Sequence, residues 1–404
     1  MRSETLLAFA RWIADAGLSG EREKDLVQAF CERALMAGLP LSRAVVGIDT
    51  LHPVLEGRVY EWRRDAAHTR QSEYTRYDAA SDAQKWLRSP FFALIQTGDM
   101  SLRRRLASSY EHGEFPVLDE LKAQGTTDYL AVVNRFGSGG TIGPVDCVFS
   151  SWATNAPAGF SDEDLAALDF LVPCLALAIK STSVAGIAAT LMETYLGRDA
   201  GRRVLRGHIE RGVPEQISAV LWFSDLQEFT RTAESTTPEQ VITLLNDYAD
   251  AIVSAIRSHG GEVLKFIGDG ILAMFSSGAA EKDCQHALDA AEDAKRRVGK
   301  LNARRAAQNQ PVTHFYLGLH IGEVFYGNIG SVDRLDFTVV GPAVNEASRI
   351  VAMCRSLDQT ILVSAAFAQV SETCRRRLVS VGRYALRGVS RPQELFTLDP
   401  EWQG

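Results

Sequence analysis

VLWFSDLQEF at residues 220–229 and EVLKFIGDGILAMF at residues 262–275 decide how this chain is read. The first is a continuous apolar run, as a strand buried on both faces requires, and it runs into Asp225. The second is a hairpin whose turn holds Asp269 between Gly268 and Gly270. Between them lies a helix. Thr237 is its N-cap, Pro238 takes the first helical position and Gln240 the third. Val241, Leu244, Leu245, Tyr248 and Ile252 recur at helical spacing as its core face, and Gly260–Gly261 stops it. A charged helix follows over 281–307, and HFYLGLHIGEVFYGNIG at 314–330 returns to strand. The order βαββαβ predicts an α+β fold with a ferredoxin-like core and extra C-terminal elements.

A chain of 404 residues exceeds one ordinary domain, so two to three are expected. An apolar share of 46% beside 23% charged residues is that of a globular protein. The net charge of −7 excludes a binder that holds nucleic acid through a broad basic surface, but leaves room for one small anionic nucleotide. No unbroken run of about 18 apolar residues occurs, so no membrane span is expected. Met1–Arg22 carries Glu4, Arg11 and Asp15, unlike a secretory signal. None of the six cysteines lies in a CxxC pair, which fits reduced thiols and a cytoplasmic location.

The N-terminal part predicts two helices up to about residue 38, then a strand at 42–51 paired across a turn with GRVYEWRRD at 57–65. Residues 66–110 show no clear periodicity. DYLAVVNRF at 128–136 and PVDCVFSSWAT at 144–154 read as paired strands, and Ser161 caps a helix with Leu165, Leu168, Val172, Leu175 and Ile179 inward. This order resembles a GAF-like sensor domain over 1–180, followed by a helical linker over 181–213 and a second domain over 214–404. The cyclic-nucleotide motif of some GAF domains is absent, so the ligand or protein partner at this domain stays open. A packing module without a small ligand is the alternative. His52, His68 and His112 lack metal-ligand spacing.

In the second domain the first strand and the hairpin are neighbours, which brings Asp225 towards Asp269. Two carboxylates placed together repel unless a cation or a proton sits between them, and hard oxygen ligands suit magnesium. A lone GDG is usually only a turn. FSDLQEFT at 223–230, KFIGDGILAMF at 265–275 and DFTVVGPAVNEASRI at 336–350 together, in this order, resemble the catalytic domain of class III adenylate and guanylate cyclases over about residues 214–399.

That resemblance implies a set of roles. Asp225 and Asp269 would hold two Mg2+ or Mn2+ ions, and the backbone at Phe229 and Thr230 the β- and γ-phosphates. Glu228 departs from the family, which usually has Gly there; its side chain must point outward, or affinity for the triphosphate should suffer. Asn345 and Arg349, at i and i+4, would orient the ribose and stabilise the transition state; Arg387 stands where the family has a lysine that contacts the triphosphate. Lys265 and Thr338 would read the base. A donor-only ammonium suits N1 of adenine, and a hydroxyl can accept from its exocyclic amine, so ATP is the expected substrate. The hydroxyl works both ways, which keeps GTP open, and the resemblance extends to members that respond to bicarbonate. In the family the metal-binding acids of one subunit face the other residues of a second, which implies a head-to-tail homodimer with shared sites. A catalytically silent nucleotide-binding domain is the remaining alternative.

Overall fold

The computed structural model describes residues 1–75, 80–389 and 391–401. It divides into two compact units, Met1–Leu191 and Met192–Gly404. Ser390 and residues 402–404 of the expected second domain lie outside the described residues.

The first unit opens with helices Ser3–Ser19 and Glu23–Met36. Its sheet comprises β1 Arg43–Asp49, β2 Leu55–Arg63, β3 Arg70–Thr75, β4 Ser101–Arg104, β5 Asp128–Arg135 and β6 Cys147–Thr154, in the order β3-β2-β1-β6-β5-β4 and antiparallel throughout. Every residue of β6 is buried, because both faces of the sheet are covered. On one face Phe30, Trp152, Leu168, Val172 and Ile179 pack with the N-terminal helices. On the other, Leu94, Leu118, Tyr129 and Phe149 form a second cluster. The aperiodic stretch 66–110 contains β3, β4 and the helices Ala80–Leu87 and Pro90–Thr97. These elements are too short to print a period on the sequence. Asp128 is fully buried and is matched by Arg103 and by the Tyr129 and Phe160 N–H groups, so its charge is satisfied.

The helix opened by Ser161 runs as one piece from Asp162 to Leu196. It is long and apolar enough to cross a membrane by length and composition, although no unbroken apolar run marks it. Its inward face, from Leu168 to Ile179, is already buried in the unit's own core. Gly197 interrupts the helical path before a further helix, Arg198–Leu205.

The second unit is built on β7 Glu215–Leu226, β8 Glu262–Ile267, β9 Gly270–Phe275, β10 Phe315–Gly330, β11 Leu335–Val340, β12 Ile361–Ser364, β13 Leu378–Tyr384 and β14 Gln393–Leu398. The sheet order is β13-β14-β12-β10-β7-β9-β8, with β11 beside β10. β10-β7-β9-β8 is antiparallel and has the 4-1-3-2 order that two split βαβ crossovers generate. Alternation along the strands sends residues to two cores. Trp222 and Ala273 face helices Pro238–Ser258 and Ala280–Ala307, against Tyr248, Ile252, Leu288 and Ala291. Leu221, Leu264 and Leu272 face the opposite side, against Val339, Ala343 and Ala347. Burial of each such large side chain contributes roughly 1.5–3 kcal/mol, so this two-sided packing fixes the strands that carry the candidate site.

Candidate active site

Asp225 is the penultimate residue of β7, and the tight β8–β9 hairpin returns Asp269 to it. Ser224 lies opposite Ile271, so Gly270 falls beside Asp225 at the next step of the ladder. A Cβ on Gly270 would sit 2.9 Å from the Ser224 carbonyl oxygen. Only glycine lets the turn close this tightly. The Asp269 carboxylate accepts the Leu226 N–H at 3.2 Å. Lost solvation, a hydrogen bond with Asp269 and repulsion from its charge push Asp225 up to about 6, against an opposing bond from Leu226 N–H. Asp225 therefore takes up a proton more readily than an ordinary carboxylate. A hard divalent cation can replace that proton, and the all-oxygen donor pair fits Mg2+ or Mn2+. Among the described residues no cluster of three or more His, Cys, Asp or Glu that could hold a metal ion exists.

The loop after Asp225 is anchored from the β10 side. Gln227 N–H donates to His314 O at 2.8 Å and the Thr313 hydroxyl donates to Gln227 O at 2.6 Å. Thr313 in turn exchanges bonds with the Tyr248 hydroxyl at 2.6 and 2.7 Å. Phe229 and Thr230 open a short helix, Phe229–Glu234, after Glu228 in a left-handed conformation at φ +50°. The Glu228 side chain pairs with Arg231 at 3.2 Å, both largely exposed.

Lys265 and Thr338 are brought into one region. Lys265 on β8 forms an ion pair with Asp336, and Asp336 stands two residues from Thr338 on β11, hence on the same face of that strand. Thr338 is 5% exposed and its Oγ1 has no hydrogen-bond partner among the described residues. Asp336 has no role in the sequence reading; its period of two from Thr338 is the signal that would have found it.

Asn345 and Arg349 lie on helix Pro342–Ser356, and Arg387 lies in the loop between β13 and β14. All three are exposed. None has a side-chain hydrogen bond or ion pair to another described residue. Beneath the same helix, His320 donates to or accepts from Ser364 Oγ at 2.9 Å, stands 3.6 Å from Glu346, and is pushed down to about 4 by burial. Asp225 with Asp269, Lys265 with Asp336 and Thr338, and the exposed Asn345, Arg349 and Arg387 thus form three sets with no hydrogen bond or ion pair joining one set to another.

Residues 214–399 match the family described as adenylate and guanylate cyclase catalytic domain. Over 174 residues the chain is 30% identical to adenylate cyclase 1 of Rhizobium meliloti (strain 1021), covering 43% of this chain and 26% of that protein. Over 161 residues it is 34% identical to the adenylate cyclase of Anabaena cylindrica, covering 39% and 31%. The chain therefore spans only about a quarter to a third of these curated relatives. It is also similar to the solved adenylyl cyclase CyaB from P. aeruginosa, at 24% identity and a TM-score of 0.43, covering 47% of this chain and 98% of that one. The family match coincides with the strands that carry Asp225, Asp269, Lys265 and Thr338, so residues 214–399 of this chain are similar to adenylate and guanylate cyclase catalytic domains.

Proposed function

We propose that the chain converts ATP to 3′,5′-cyclic AMP and pyrophosphate. The observation that carries this reading is the Asp225–Asp269 pair, two acids on facing strand ends whose mutual repulsion a divalent cation would relieve. Mg2+ or Mn2+ bound there, two ions per site, supplies Lewis acidity to the ribose 3′-hydroxyl and to the leaving triphosphate oxygens. The bond formed joins O3′ to the α-phosphorus, the bond broken releases pyrophosphate, and the hydroxyl proton passes to water or to substrate phosphate. The loop at Phe229 and Thr230 holds the β- and γ-phosphates. Arg349 spreads its fork of donors over the oxygens that gain charge, Asn345 orients the ribose, and Arg387 adds a cation at the triphosphate.

Lys265 and Thr338 read adenine. The unpartnered Thr338 hydroxyl, on the same face of β11 as the Asp336 that pairs with Lys265, supports that role, because a buried polar group without a partner is costly unless a ligand supplies one. The absence of any hydrogen bond or ion pair joining the three sets within one copy is consistent with a head-to-tail homodimer in which each nucleotide is held by residues of both subunits. The N-terminal unit acts as a GAF-like regulatory domain in the cytoplasm; its six-stranded antiparallel sheet with a long closing helix supports that reading. Incubating the full chain with ATP or GTP and Mg2+ or Mn2+ tests the assignment. Cyclic AMP in excess over cyclic GMP is expected. Turnover of GTP alone would assign the domain to guanosine, and no product from either would leave a nucleotide-binding domain.

A further inference from the structure

The loop that follows Asp225 is held by a side chain where the backbone ladder ends. Leu226 still faces Phe315 across β7 and β10, and Gln227 N–H donates to His314 O at 2.8 Å. The carbonyl of Gln227 takes a different partner, the Thr313 hydroxyl, which donates to it at 2.6 Å. The chain then turns at Glu228 into Phe229 and Thr230, and Phe229 packs on the core beneath. Thr313 is itself clamped. It is 6% exposed, its N–H donates to the Tyr248 hydroxyl at 2.7 Å, and that hydroxyl donates to Thr313 O at 2.6 Å. Asn302 Nδ2 donates to the same carbonyl at 2.9 Å, and Arg305 Nε donates to Pro311 O at 2.7 Å. Helices Pro238–Ser258 and Ala280–Ala307 therefore both hold the stretch that enters β10, and Thr313 passes that constraint to Gln227.

We propose that Thr313 is a positioning residue for the triphosphate: its hydroxyl, locked in place by Tyr248, fixes Gln227 and so aims the backbone of Phe229 and Thr230 at the β- and γ-phosphates. This rests on the adenylate cyclase reading of the same loop. Thr313 acts through Gln227 and touches no reacting atom in that reading. A valine in its place keeps the shape and loses the donor, which leaves the loop held by the Gln227 N–H alone. A loop ordered before the nucleotide arrives spares binding the cost of ordering it, so the benefit appears in affinity for the phosphates rather than in the chemical step. Among the described residues no hydrogen bond joins Thr313 to Lys265 or Thr338, so contacts to the base should be indifferent to the substitution.

The test compares the full-length wild type with Thr313→Val, Thr313→Ser and Tyr248→Phe. With ATP, Thr313→Val should raise KM about tenfold while kcat stays within about threefold, as loss of one buried hydrogen bond that serves binding predicts. Calorimetry should show a matching rise in the Kd for ATP and an unchanged Kd for AMP, which lacks the phosphates this loop holds. Thr313→Ser keeps the hydroxyl and should recover the wild-type values. Tyr248→Phe removes the lock one step further back and should shift ATP and AMP in the same pattern as Thr313→Val; it is read in place of Thr313→Val if that variant does not fold. A merely structural role would lower Tm and weaken ATP and AMP together. That result, or an unchanged KM and Kd for ATP, overturns the inference and leaves the cyclase assignment standing. Should wild type form no cyclic nucleotide, the assignment itself fails; the two Kd values then decide the role of Thr313, with a loss confined to ATP supporting it and an equal loss or no loss overturning it.

Discussion

The proposed metal site needs both carboxyl groups, Asp225 and Asp269. Replacing either by Asn keeps the hydrogen-bonding shape but removes a charge from the ligand set. Cyclic nucleotide formation with Mg2+ should drop by at least about 100-fold, a loss of about 2.7 kcal/mol in transition-state stabilisation. Initial rates at saturating substrate read this directly, and a variant retaining more than a tenth of wild-type kcat would contradict it. Glu228 makes a subtler case. Its φ of +50° costs a non-glycine residue roughly 1–2 kcal/mol, whereas its exposed pair with Arg231 contributes about 0–1 kcal/mol. Glu228→Gly relieves the strain, loosens the unfolded chain, and removes a negative charge near the proposed triphosphate. We expect stability within about 1 kcal/mol of wild type and a KM for ATP lower by about threefold, read by thermal denaturation and steady-state kinetics.

The elements differ in how far the sequence reveals them. The β7 run, the capped helix from Pro238 and the GDG hairpin are each legible because one local rule governs each: two-sided burial, capping chemistry, and a turn that needs glycine. The pairing of Asp225 with Asp269 follows from their neighbourhood in the βαββαβ order. Less was legible where tertiary packing decides. The continuity of helix Asp162–Leu196 through Pro173, the placement of β11 so that Asp336 reaches Lys265, and the orphaned Thr338 hydroxyl are long-range facts that no local window contains. Helix Arg198–Leu205 gives a similar case. A Cβ on Gly201 would come 2.7 Å from the Met192 carbonyl carbon and 2.8 Å from Glu193 N, both backbone atoms that cannot yield cheaply. Alanine favours a helix over glycine by about 1 kcal/mol, yet overpacking costs about 1–3 kcal/mol. Overpacking should win, and Gly201→Ala should lower stability by about 1 kcal/mol in denaturant titration; a stabilised variant would show that the backbone there moves apart freely.

Across the whole catalytic unit, acid should act through His320. Folded His320 titrates near 4 because burial disfavours its charge, against about 6.5 when unfolded. Between those values the unfolded chain binds more protons, so the stabilisation is present above pH 6.5 and is lost as pH falls towards 4. It amounts to roughly 3 kcal/mol. Ser364 and Glu346 face the ring, and burial raises the Glu346 carboxyl. Tm measured across this window should fall with pH in wild type and fall less in His320→Gln. The larger claim is that each site is shared between two copies. Asp269→Ala and Arg349→Ala disable different sets, so each homodimer should be inactive alone. Mixed and allowed to exchange, half of the dimers contain one of each, with one intact site per dimer. Cyclic AMP formation in that mixture is the direct test: recovery of about a quarter of wild-type activity is the predicted result, and a mixture as inactive as its components, with subunit exchange demonstrated, would contradict the shared site.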